Sequence, residues 1–196
     1  MATDYMLAGA SIVFSILAWR KAGRVWGLMF LFTAAGSFFG GTFHGIGPAY
    51  GIFITTMLWK ATAISVGLAS FFLLIAAVQH RSAPLFALLL FVAYASWMIT
   101  HSNFLWVVID YGVTFLVVAI VHAVLWIRGQ DRASWWIVMS FVVCLLAAGV
   151  QQSRLLAGPL NHNDLYHLVQ IAALSLLFRG AMLMTWARAR STIPPT

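Results

Sequence analysis

The residues able to do chemistry are few and gathered. The segment Asn161-His162-Asn163-Asp164-Leu165-Tyr166-His167-Leu168-Val169-Gln170 carries two histidines, one carboxylate and three carboxamides. Asn163 and His167 are four apart, and Asp164 and His167 three apart. Both spacings put the pair on one helical face, and Gln170 continues that stripe. Histidine and carboxylate on one face are ligand types for zinc or iron. Asn163 or Asp164 also suits the N-cap of a helix, accepting backbone N–H bonds, so a polar, well-capped helix start is the plainer reading. His44 closes another apolar run, and Lys60 and Asp110 lie inside two more. Ionisable residues within apolar spans mark function by default. The plainer reading of Lys60 and Asp110 is a structural ion pair.

The elements that position these residues must lie in a membrane. Of 196 residues, 63% are hydrophobic and 8% charged, with a mean hydropathy of +0.95. Soluble domains run at about 45–50% apolar and about 25% charged. A soluble enzyme, a disordered chain and a secreted disulfide scaffold are thereby excluded. The lone Cys144 permits no internal disulfide. Apolar runs near the ~20 residues needed for a span occur at 5–19, 25–43, 52–79, 84–100, 104–127, 134–150 and 164–186. The predicted fold is all-α: one seven-helix transmembrane domain over 1–190 and a short flexible tail over 191–196.

Charge placement sets the expected topology. Arg20, Lys21, Arg24, Arg81, Arg128, Arg132, Arg188 and Arg190 fall at one set of helix ends, and only Arg154 at the other. The positive-inside rule makes the first set cytoplasmic, with the N-terminus outside and the C-terminus inside. No Lys or Arg precedes the first apolar run, which reads as an inserted first helix rather than a cleaved signal. The pI near 10.4 is thus a topology signal and not one for nucleic acid. In this topology His44, His101, His162, Asn163, Asp164 and His167 gather at the outer ends. Lys60 and Asp110 lie roughly 10 Å below the outer boundary at the helical rise. His80 and His122 lie near the inner boundary. Gly36 with Gly40, and Gly41 with Gly45, are small-xxx-small pairs that let helices approach closely, which predicts that His44 faces the bundle. Arg179 is expected to snorkel to the cytoplasmic face.

Seven N-out helices, Thr42-Phe43-His44 ending the second and Tyr166-His167-Leu168-Val169 near the start of the seventh resemble the CREST superfamily, which includes the alkaline ceramidases and the progestin and adipoQ receptors. That family's pattern is a Ser four residues before a helix-2 His, an Asp on or near helix 3, and His-x-x-x-His on helix 7. His44 and His167 match two of its three zinc histidines. Asn163 stands at the other histidine position, Gly40 at the serine, and helix 3 offers Lys60 in place of an Asp. The resemblance implies a zinc-dependent intramembrane hydrolase of a lipid amide or ester. His44 and His167 would hold the metal, with His162 or Asp164 as third ligand. Asp110 or Asp164 would handle the proton, and Lys60 would polarise a carbonyl or hold an anionic head group.

Two other functions fit the same residues. A transporter or small-molecule receptor would use the Lys60–Asp110 pair. An electron-transfer or accessory subunit would bind haem b between His44 and His167. The expected partners are membrane lipids and a lipid-like substrate, in a homo-oligomer or a larger membrane complex. The expected location is a bacterial inner membrane, with the polar cluster facing the periplasm.

Overall fold

A computed structural model describes residues 2–153 and 160–191, without the side chains of 48 and 185–191. Arg154, the side chains of Arg188 and Arg190, and the tail beyond Ser191 lie outside the described residues. Among the described residues the fold is all-helical, with seven helices long and apolar enough to cross a membrane. They are α1 (Ala2–Lys21), α2 (Arg24–Gly45), α3 (Gly51–Ala77), α4 (Ala83–Thr100), α5 (Phe104–Ile127), α6 (Ser134–Gln152) and α7 (His162–Ser191). A single 3-10 turn, Gly47–Tyr50, joins α2 to α3.

In lipid every backbone polar group must be satisfied within the helix, so the caps decide where each span ends. Asn103 caps α5 by accepting from the Leu105 N–H at 2.9 Å. At the start of α7 the Asn161 side chain accepts from the N–H groups of Asn163 (2.9 Å) and Asp164 (3.0 Å). Asp164 Oδ2 reaches back to the Asn161 N–H at 3.3 Å. The two side chains form a reciprocal capping box, so Asn161 is the N-cap, rather than Asn163 or Asp164. α1 begins before the expected Tyr5 and takes in Thr3 and Asp4, both 5% exposed.

Helices α1, α2, α3, α5, α6 and α7 close a ring, each packed on the next, and α4 lies outside it against α3. The contact between α4 and α5 is slight. Phe30, Leu73, Phe115, Ile137, Leu174 and Leu177 fill the ring's interior, each at most 2% exposed. Phe14 stacks on Phe178 at 5.0 Å, with Phe30 edge-on to both. Small residues set the close approaches. A Cβ at Gly41 would stand 2.7 Å from the Cβ of Asp4, so the glycine seats that carboxylate between α1 and α2. Arg179 is exposed, and its guanidinium lies 4.2 Å above the ring of Trp136, in the first turn of α6, a cation–π contact.

Candidate functional site

The starts of α1 and α7 meet in one chain of polar contacts. The Thr3 hydroxyl donates to Asp164 Oδ1 at 2.7 Å and lies 3.3 Å from His167 Nδ1. On the ring's other side, His167 Nε2 stands 3.4 Å from Asp4 Oδ1. A hydroxyl has one hydrogen, and Thr3 gives it to Asp164, so Nδ1 must donate to Thr3. In the neutral ring this turns the Nε2 lone pair toward Asp4, and in the protonated ring Nε2 forms an ion pair with it. The side chains of His167 and Asp4 are 14% and 7% exposed, so the pair is enclosed but not sealed.

Asp4 completes the site and was not among the residues singled out by spacing. Asp164 plays a narrower part than its residue type allows. Its Oδ1 takes the Thr3 hydroxyl and its Oδ2 takes the Asn161 N–H, so it positions other groups. Tyr5 lies beside the site, its hydroxyl 3.1 Å from Thr42 Oγ1 and its ring 5.7 Å from Phe38.

The other expected site residues are distributed differently. His44 is within electrostatic reach of His167 but is exposed, its ring edge-on to Phe43 at 5.0 Å, rather than turned into the bundle. His162 is partly buried in the first turn of α7. His101 stacks on Trp97 at 3.7 Å at the end of α4 and takes no part in the cluster. Lys60 and Asp110 do not pair. Lys60 Nζ donates to the carbonyls of Met98 and His101, each at 2.6 Å, and so closes the C-terminal end of α4. Counting depth from the start of the apolar run misplaces this lysine. α3 is 27 residues long and Lys60 is level with the α4 terminus, not deep in the span.

Zinc needs three or four donors within about 2.3 Å of one point. Among the described residues, no three of His, Cys, Asp and Glu stand close enough together to hold a metal ion.

At the opposite end, a second histidine is held in a similar way. His122 Nδ1 lies 2.8 Å from Ser134 Oγ, and Ser134 donates to Asp131 Oδ2 at 3.1 Å. Asp131 Oδ1 accepts from the Ala133 N–H at 2.8 Å, just ahead of α6. His122 and Ser134 are both fully buried.

No curated protein and no solved structure matches the chain. One family model covers residues 1–185, nearly the whole chain and all the groups above. By that match the chain belongs to the family described as "Family of unknown function (DUF6962)".

Proposed function

We propose that the chain is a membrane-embedded hydrolase of a lipid amide or ester, with its centre at His167. One observation carries the reading: a partly accessible imidazole has its Nδ1 fixed by Thr3 and its Nε2 set against the carboxylate of Asp4. Such a ring can act as a general base. Nε2 accepts a proton from water as the water oxygen attacks the acyl carbon. Asp4 stabilises the imidazolium that forms by accepting from its new Nε2–H. The ring then returns the proton to the leaving amine or alcohol. Thr3 and Asp164 hold the ring's orientation throughout.

Lipid is the substrate class because apolar surface runs up to this centre. Met6 and Phe38, beside Tyr5, are 55% and 52% exposed on the outside of the bundle, where an acyl chain can lie. Arg20, Lys21, Arg24, Arg81, Arg128 and Arg132 gather at the opposite helix ends. By the positive-inside rule that supports a non-cytoplasmic site, which is periplasmic in a bacterial inner membrane.

The test is release of fatty acid from labelled lipid amides and esters by the purified full-length chain in lipid vesicles. Bound metals are measured in the same preparation by plasma mass spectrometry. Turnover that is lost in His167→Ala, without stoichiometric metal, supports this reading. Turnover that needs one bound zinc per chain would overturn the metal-free step. No turnover of either substrate class would overturn the hydrolase.

A further inference from the structure

Freed of its expected lysine partner, Asp110 needs another explanation. It stands on α5 about 9 Å from the helix start, by the helical rise, in a cleft between α3, α4 and α5. Inside its open mouth the cleft has room for about one water-sized ligand. It exists because α4 packs on α3 and scarcely touches α5. Ser70, Asp110 and Thr114 supply its oxygens, and Phe71, Leu90 and Phe91 are among its apolar walls. Asp110 and Thr114 are four apart on one helix and share a face.

Two polar atoms in this cleft are orphaned. Asp110 Oδ2 and Ser70 Oγ are both buried and neither has a hydrogen-bond partner. Ser70 is close enough to interact with Asp110. Tyr94, also near the carboxylate, is committed elsewhere: its hydroxyl donates to the Ala63 carbonyl at 2.9 Å. Among the described residues no Lys, Arg or His forms an ion pair with Asp110. A carboxylate in an apolar setting is very costly without a counter-charge, and buried orphaned oxygens call for a partner.

We propose that this cleft binds a small monovalent cation, sodium, between the Asp110 carboxylate and the hydroxyls of Ser70 and Thr114. All three donors are oxygens, which suit a hard cation. One carboxylate neutralises one unit of charge, so a divalent ion would leave a net charge within the bilayer. The site is separate from the His167 centre in residues and helices, and stands whether or not that centre hydrolyses lipids.

The test is thermal unfolding of the full-length protein in detergent, in sodium, potassium or choline chloride at equal ionic strength. Sodium at about 100 times its dissociation constant is expected to raise the wild-type midpoint by roughly 5–11 °C over choline. Asp110→Asn is expected to abolish that rise and Ser70→Ala to reduce it. Binding of radioactive sodium to the wild type gives a readout that does not depend on either variant folding. A wild-type midpoint that is the same in sodium and choline, with no sodium bound, overturns the proposal. A midpoint that follows pH but not sodium overturns it in favour of a protonated Asp110. An Asp110→Asn protein that keeps the sodium-specific rise overturns it as well.

Discussion

At one end of the bundle His167 meets Thr3 and Asp164, and at the other His122 meets Ser134 and Asp131. In both, a ring Nδ1 faces a hydroxyl that donates to a carboxylate, and in both that carboxylate also accepts a backbone N–H at a helix start. The likeness shows that a histidine–hydroxyl–carboxylate chain is, first of all, a way to fasten a helix terminus. The difference lies at the other ring nitrogen. His122 Nε2 is buried and has no hydrogen-bond partner, whereas His167 Nε2 faces Asp4 in a partly open site. A second carboxylate and access from outside turn a fastening into a centre able to move a proton.

The sharpest way to break this comparison is to remove the inner ring. His122→Ala leaves a cavity and deprives Ser134 of a partner, which together cost about 3 kcal/mol or more. At roughly 2–4 °C per kcal/mol for a chain of this size, the unfolding midpoint in detergent is expected to fall by about 6–12 °C. Hydrolysis per folded molecule is expected to stay within about twofold of wild type. An inner variant that keeps its midpoint and loses turnover would reverse the assignment of the two ends.

Gly41→Ala acts on the outer end through packing. Its new methyl would meet the Asp4 Cβ at 2.7 Å, so the backbone of α1 or α2 must shift. The expected overpacking cost is about 1–3 kcal/mol, read as a lower midpoint together with reduced turnover. Stability lost without turnover would show that the position of Asp4 does not matter to chemistry.

Asn161→Ala separates the fastening from the centre. Loss of the N-cap is expected to cost about 1 kcal/mol, seen as faster hydrogen exchange in the first turn of α7. Lys60→Met should have the smallest effect. Its ammonium serves carbonyls at the end of α4, so a stability loss of about 1 kcal/mol with unchanged turnover is expected. A loss of turnover there would return Lys60 to the chemistry that its residue type first offered.

The spans were legible because hydropathy and caps agree. The expected 104–127 coincides with α5, where Asn103 caps one end and Gly129 turns away at a φ of 68° beyond the other. The expected end of α3 lies two residues too far along, since Val78 is already extended. His167 and Asp164 were legible as one helical face. Asp4 was not, because a polar Thr-Asp pair ahead of an apolar run reads as a solvated lead-in. Only the packing of α1 on α2 at Gly41, and on α7, buries it. Matching depths for Lys60 and Asp110 come from counting rise along separate helices. Counting gives neither the direction a side chain leaves its helix nor how far α3 extends beyond its neighbours. Lys60 therefore meets the carbonyls of α4, and Asp110 faces a cleft.

The central claim, that His167 and Asp4 together move the proton in lipid hydrolysis, is tested most directly by the turnover of Asp4→Asn in vesicles. That substitution keeps shape and removes charge. The account expects a fall of about 100-fold or more, within the usual contribution of acid–base catalysis, with an unfolding midpoint close to wild type. Wild-type turnover in the variant, or a wild type that hydrolyses neither lipid amides nor lipid esters, would contradict it.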